Sequence, residues 1–386
     1  VTVPFAAALS EHPDAAVAVG EAIGQCLDRL GPGPDLAAVF VTAHHLGHLG
    51  AIAATIEATL GPRHLIGASA VAVLGGGRGV EGHPGLALWA GTPGGTIEPV
   101  WIRAERSATG YAVRGLDPAR LDAATTLVLM ADPYTVPVDG VLGHIASAHP
   151  HLAVIGGFAS AGGAGANRLL IDGRVVDHGA VGVLLDAAAS PTTVVSQGCR
   201  PVGQPFTVTA SEGNLLLGLA GRPALERLLS LLDELPEHER ALLANGPQCG
   251  VVVDEAKLDY ERGDFVIRAV TGVDRARGAV AVADTVPVGA TVQFQVRDAS
   301  SAAQDLDALL GPHHADGALV FTCNGRGTNL FGSPHHDPGI VQDRLGPAAA
   351  IAGMFCAGEI GPIGRRNVLH GFTASIALFR DGRLPA

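Results

Sequence analysis

The sequence predicts an α/β chain of mixed α+β character, built from repeated strand-helix-strand-strand units, with mixed sheets, flanking helices and two associated domains. Three observations point there. Short apolar runs such as AAVFV (37–41) and ALVFT (318–322) have the length and the β-branched or aromatic content of buried strands. Segments with apolar residues at helical spacing lie between them. The same order of features then recurs three times along the 386 residues, as a repeated structural unit requires.

In chain order, Ala15–Leu30 reads as a helix, with Val19, Ile23, Leu27 and Leu30 on one stripe and Gly31-Pro32 as its stop. The first copy opens with LAAVFVTA (36–43). Its helix, Gly50 to Leu60, lines up Ile52, Ile56 and Leu60 and ends at Gly61-Pro62; HLIGASA (64–70), a glycine-rich stretch, His83 and LALWAG (86–91) follow. The second copy runs from TTLVLMAD (125–132) through HLAVIGGFAS (151–160) to His178 and AVGVLLD (180–186). The third runs from GALVFTCNG (317–325) through AAAIAGMFCAGE (348–359) to His370 and FTASIALF (372–379). Phe40 to Gly67 and Leu129 to Gly156 each span 27 positions, and Phe321 to Gly353 spans 32.

Between the second and third copies, TTVVSQGCRPVG, PFTVTASEG, CGVVVDE, DFVIRAVTG, GAVAVAD and TVQFQVRD are separated by glycine or proline turns, which predicts an antiparallel element. Ala224–Leu235 reads as a leucine-striped helix stopped by Pro236. Ser301–Leu310 opens with Ser301 and Gln304 at the spacing of a capping box. The polar turn Ser211-Glu212-Gly213-Asn214 sets the expected domain boundary, giving 1–210 and 211–386.

Composition narrows the function classes. With 47% hydrophobic and 16% charged residues the chain can bury a sizeable core. Lys plus Arg number 25 against 37 acids, a net charge of −12, so no basic surface is offered to nucleic acid or to an anionic membrane. No apolar stretch is long enough to span a bilayer, which makes the cytoplasm the expected compartment. Five cysteines, an odd number in a core-rich chain, fit free thiols better than a disulfide framework. The sequence carries no low-complexity segment and no kinase, cyclase or F-box segment, so a stand-alone protein is expected.

The chemistry concentrates in the third copy. Arg326, flanked by Gly325 and Gly327, can present its planar fork to a carboxylate, or it can bind a carbonyl or Asp of its own loop. Glu359 can accept a ligand ammonium, cap a backbone N–H, or pair with Arg365 or Arg366. His370 can serve a ligand, or share a structural hydrogen bond with His83 and His178 at similar places. In Arg297-Asp298, Asp298 suits the start of the following helix and Arg297 suits a clamp on it. Cys323 and Cys356 sit at equivalent strand ends in the third copy and could converge, or serve as small core residues. The histidine pairs His44/His48, His313-His314 and His335-His336 lack HExxH or CxxC context, and neither GGGRG (75–79) nor GGAGA (162–166) completes a phosphate-binding loop, so no metal and no cofactor is expected.

The run FCAGEIGPIGRRNVLHGF (355–372), together with CNGRG (323–327), VQFQVRDASSA (292–302) and YERGDFVIR (260–268), resembles the C-terminal half of the FIST (F-box and intracellular signal transduction) family. The resemblance implies a sensory domain that binds small molecules such as amino acids, divided into N and C parts. The expected binding residues are Cys323, Asn324, Gly325, Arg326, Cys356, Glu359, His370 and Arg297, with no catalytic residue assigned. The expected partner is a small molecule of amino-acid or organic-acid type, and the signal would pass to a protein partner or through self-association. The second reading is a cysteine-dependent hydrolase or transferase acting on a small polar metabolite, with Cys356 or Cys323 as nucleophile and Glu359 and His370 assisting.

Overall fold

The structure, a computed structural model, describes residues 3–107, 110–244 and 246–381. Strand β1 (Phe5–Ser10) and helix α1 (Ala15–Leu30) open the chain, and the Asp14 carboxylate caps α1 by accepting from the N–H groups of Ala16 and Val17. The first module comprises β2 (Leu36–Thr42), α2 (Leu49–Thr59), β3 (His64–Ala70), the hairpin β4 (Ala72–Gly75) and β5 (Arg78–Glu81), and β6 (Leu86–Gly91). After β7 (Ile97–Ser107), β8 (Gly110–Arg114) and α3 (Pro118–Ala123), the second comprises β9 (Thr126–Ala131), α4 (Val138–Ala148), β10 (Ala153–Phe158), the hairpin β11 (Leu169–Ile171) and β12 (Arg174–Val176), and β13 (Ala180–Leu185).

Strand β14 (Thr192–Gln197) leads to a separate stretch. It contains β15 (Cys199–Pro201), β16 (Phe206–Glu212), β17 (Leu215–Leu219), β18 (Arg222–Pro223), α5 (Ala224–Glu234) and α6 (Glu237–Ala244). It continues with β19 (Gln248–Val252), β20 (Phe265–Asp274), β21 (Ala279–Val282), β22 (Thr291–Arg297) and α7 (Ala299–Leu310). The third module is β23 (Gly317–Cys323), α8 (Gly327–Phe331), α9 (His336–Leu345), β24 (Ala350–Cys356), the hairpin β25 (Glu359–Ile363) and β26 (Arg366–His370), and β27 (Thr373–Phe379).

These elements divide into two compact units, but not at a single cut near residue 210. One holds residues 1–195, 306–369 and 373–386; the other holds 196–305 and 370–372. The reason lies in the strand pairing of the first unit. Each module places its first strand at the centre of a sheet, parallel to its second strand and antiparallel to its last. Each hairpin then leaves its own module: β4–β5 extends from β24, β11–β12 from β3, and β25–β26 from β10. The resulting orders are β1-β6-β2-β3-β11-β12, β26-β25-β10-β9-β13-β7-β8 and β14-β27-β23-β24-β4-β5. Every module donates a hairpin to another, so the third cannot be cut away from the first two.

The inward faces of the three sheets share one core that includes Phe40, Trp89, Met130, Ile155, Phe321 and Met354. Phe40 and Phe321 meet edge to face at 6.1 Å. Helices α1 and α2 cover the outer face of the first sheet, where Val19, Ile23, Ile52 and Ile56 sit in a second apolar cluster, and Val141, Leu142 and Ile145 of α4 do the same on the second sheet.

One glycine recurs at the same register position in all three parallel strand pairs: Gly67 opposite Val39, Gly156 opposite Leu129 and Gly353 opposite Val320. A Cβ at these sites would stand 2.4, 1.8 and 1.9 Å from the carbonyl oxygen of the facing residue. The strands approach too closely there for any side chain. Pairing therefore matches Val39 and Val320, not the adjacent Phe40 and Phe321 used for the sequence spacing. Hydrogen-bond register, and not the position of the aromatic ring, defines the correspondence.

The second unit contains a closed antiparallel ring in the order β22-β16-β17-β21-β20-β19, returning to β22. Val208, Leu219, Cys249, Val280, Phe294 and Val296 fill its core with Leu228 and Leu231 of α5. The predicted antiparallel element is thus a barrel, which leaves none of the ring's strands as an open edge. One expectation changes: TTVVSQ forms β14 at the edge of the third sheet, while CRP forms β15 beside β22. A second concerns the capping box at Ser301. Helix α7 starts at Ala299, and Asp298 accepts from the Ser301 N–H (3.3 Å) and hydroxyl (3.1 Å). A carboxylate three residues earlier is the stronger acceptor, so Ser301 becomes its donor.

Candidate functional site

The site forms where β23, β24 and β25 end or begin. All seven residues of β23 are buried, and at its end Thr322 turns its hydroxyl to Asp337 of α9 at 2.6 Å. Arg326 donates to the same carboxylate from Nε (2.6 Å) and Nη2 (2.9 Å), and both side chains are fully buried. Burial alone would raise the Asp337 carboxyl, but Arg326, His336 and Thr322 outweigh it and hold it well below the usual carboxylate range. The Arg326 guanidinium also lies 5.2 Å from the Phe331 ring centre, and Phe331 stacks on His336. Arg326 is thus closed in an ion pair, as the second alternative expected, but the Asp comes from α9 and not from its own loop.

The rest of CNGRG surrounds a cleft. Gly327 has φ +52°, and a Cβ there would fall 2.2 Å from Oε1 of Glu81. Glycine is needed because Glu81, at the end of β5, accepts the Thr328 N–H at 3.0 Å. Asn329 donates from Nδ2 to the Asn324 carbonyl at 2.8 Å, and the Gly325 N–H points to Cys323 Sγ at 3.4 Å. Asn324, Gly325, Asn329 and Phe355 line a cleft of about 350 Å³ with Val71, Ala72, Glu81 and Gly82 of the first module's hairpin. Such a volume lies at the lower end of small-molecule sites.

Behind the loop lies a buried group. Glu359, the first residue of β25, accepts at Oε2 from the Thr373 N–H (3.1 Å) and hydroxyl (2.9 Å). Its Oε1 is buried and has no hydrogen-bond partner among the described residues. Burial pushes the carboxyl up to about 8, against the opposing pull of Thr373, the Cys323 thiol and Arg326, so it is largely protonated at neutral pH. Cys356, also fully buried, has its thiol raised well above the ordinary value by burial, by Glu359 and by Cys323. Its sulfur packs against Gly157, where a Cβ would stand 2.5 Å away.

Of the predicted binding residues, the structure brings Cys323, Asn324, Gly325, Arg326, Cys356 and Glu359 together in one unit. Asn324 and Gly325 face the cleft; Arg326, Cys356 and Glu359 are buried. Glu359 serves a backbone N–H, that of Thr373, and so realises the capping alternative while leaving one oxygen over. Arg297 and His370 belong to the second unit, where the Arg297 guanidinium lies 5.0 Å over the Phe372 ring and Arg200, not Arg297, clamps Asp298 at 2.8 Å. His370 is buried, whereas His83 and His178 are exposed, and His178 turns to Asp177 at 2.9 Å. These three histidines do not share one environment. No group of three metal-ligating side chains converges among the described residues.

Sequence reasoning missed Glu81, Asn329, Asp337 and Thr373. Asp337 had a local signal, an acid eleven residues after a glycine-flanked arginine. Glu81 had none, because only the exchange of hairpins between modules carries it to a loop nearly 250 positions away.

The FIST N domain model matches residues 35–222 and the FIST C domain model matches residues 224–362. The chain belongs to the FIST family. FIST domains are sensory domains of signal transduction, and the two matches together span most of the sequence. The FIST C match takes in part of the barrel and the third module through β25, so the family division follows chain order and not the compact units. An uncharacterized protein of Mycobacterium bovis is 41% identical over 377 residues, covering 96% of this chain and 97% of its own. An uncharacterized protein of Mycobacterium tuberculosis is 39% identical over 387 residues, covering 97% and 98%.

Proposed function

We propose that this FIST protein is a cytoplasmic sensor that binds a small polar molecule in the cleft between the CNGRG loop and the β4–β5 hairpin, and passes the signal to a protein partner or through self-association. The observation that carries the reading is the cleft itself. It sits at the carboxyl ends of β23 and β24, the usual position for ligands of α/β sheets, and it is walled by two modules. A ligand bridging both walls would report on the fit between them. Five buried cysteines outside any disulfide suit a reducing compartment, and among the described residues no helix is long and apolar enough to cross a membrane. We also take the shared connectivity of the three modules as internal repetition in which one copy has specialised.

A nucleophilic role for Cys356 runs against its burial and its raised thiol, which favours binding over catalysis at this position. The test is thermal stabilisation across a panel of amino acids, organic acids, amines and neutral polar molecules. A ligand at a hundred times its Kd adds about 2.7 kcal/mol. The cleft-filling variant Val71→Trp, at a half-exposed lining residue, should abolish the shift. A panel with no active member, or a shift untouched by Val71→Trp, counts against the proposal.

A further inference from the structure

Resting on the cleft as the binding site, we infer that its ligand is a small organic cation, a primary amine without a carboxylate. The lining contains one ionisable side chain, Glu81. The arginine that the sequence offers as a carboxylate fork is spent: Arg326 is buried and closed in a two-point pair with Asp337. A ligand carboxylate entering the cleft would thus meet Glu81 and no lining cation, at a cost of like-charge repulsion and lost hydration.

An ammonium meets the opposite setting. Glu81 commits Oε1 to the Thr328 N–H, and Oε2 has no partner among the described residues. Thr328 thereby holds the carboxylate in one orientation without neutralising it. Asn329 commits its Nδ2 to the Asn324 carbonyl, which leaves its amide oxygen as a further acceptor. Val71, Ala72 and the edge of Phe355 offer apolar surface to a short hydrocarbon body. Gly327 ties the device together, since any side chain there would displace the Glu81 carboxylate. A charged acceptor, a neutral acceptor and an apolar wall in a small cleft together select a short alkyl or aryl amine.

Isothermal titration at pH 7 with n-butylamine, n-butanol, butyrate and 4-aminobutyrate, four ligands of one carbon skeleton, tests the inference. Butylamine should bind saturably, the alcohol and butyrate at least about tenfold more weakly, as expected for loss of a charged hydrogen bond, and 4-aminobutyrate, which keeps the ammonium, also about tenfold more weakly because its carboxylate is brought near Glu81 with no lining cation. Glu81→Gln keeps an oxygen for Thr328 and so preserves the loop, yet it should lower butylamine affinity about tenfold or more and leave butanol unchanged. Asn324→Asp, adding a second negative charge to the lining, should strengthen butylamine binding. Equal binding of butylamine by Glu81→Gln, preference for either carboxylate, or no binding by the amine overturns the inference. The cleft reading fails separately, when Val71→Trp leaves unchanged the binding of every ligand found in the broader panel.

Discussion

The first and third modules fold on one plan and differ sharply at the strand ends. Register equates Val73 of β4 and Leu169 of β11 with Glu359 of β25, each one residue before the residue that faces the shared glycine. The same correspondence equates Ala70 with Cys356, and Thr42 with Cys323. In the first module the Gly85 N–H is satisfied by the Thr42 hydroxyl at 3.0 Å; in the third the matching Thr373 N–H goes to the Glu359 carboxyl. The backbone need is the same, and it is met once by a neutral short side chain and once by a buried acid. Where modules of the same connectivity are fixed by steric contact, one of them can carry ionisable groups at positions that are plain core in the others.

The steric contact between the paired strands should be the costliest feature to disturb. Gly353→Ala places a Cβ 1.9 Å from the Val320 carbonyl at the centre of the third sheet, and no flexible side chain can yield there. A loss of about 4 kcal/mol or more, or failure to accumulate as soluble protein, is expected, measured by urea denaturation or expression yield. Gly67→Ala meets Val39 at 2.4 Å and should be milder. Equal stability of Gly353→Ala and wild type would remove the steric basis of the shared plan.

The acid that sets the third module apart should show itself through pH. Folding raises the Glu359 carboxyl from 4.5 to about 8, so between those values the folded chain keeps a proton that the unfolded chain has released. By linkage its contribution to stability is full below about 4.5 and falls as pH rises through about 8, a change of the order of a few kcal/mol. Glu359→Gln retains an acceptor for Thr373 and cannot titrate. Denaturation midpoints at pH 5, 6.5 and 8 should therefore decline more steeply for wild type than for Glu359→Gln. Parallel pH profiles would mean that Glu359 ionises in the folded state as it does in water.

How much of this could be read beforehand follows the same divide. Local signals were strong: Ala15–Leu30 is helical over the whole predicted range, and the strands opening each copy lie where their apolar runs stand. The ordered recurrence of the three stretches was visible as a pattern of strands and glycines. The exchange of hairpins was not, because a three- or four-residue strand such as Leu169–Ile171 carries no mark of which sheet it will join. That exchange also hid the site. CNGRG advertised its own residues, while its wall partner Glu81 lay just after the glycine-rich stretch of the first copy, at the end of a four-residue strand. Arg326 was visible as a chemical group, but its pairing with Asp337 depends on how α9 returns to the end of β23.

The smallest effect is expected at Cys356, and it bears on whether the third module has gained chemistry or only polarity. The equivalent residues, Ala70 in the first module and Ala159 in the second, are buried at the same strand end, so alanine fits this backbone twice over. Cys356→Ala removes one buried sulfur in contact with Gly157 and should cost about 1 kcal/mol in urea denaturation. Because burial, Glu359 and Cys323 keep the thiol protonated, ligand-induced stabilisation should be the same in Cys356→Ala as in wild type, and folded wild-type protein should not be labelled at Cys356 by a thiol reagent at pH 7. Rapid labelling there, or loss of ligand response with the fold intact, would give the third module a reactive sulfur. A cost near 1 kcal/mol with the response retained would leave Cys356 as packing, and would confine the specialisation of this module to the cleft and to the acid behind it.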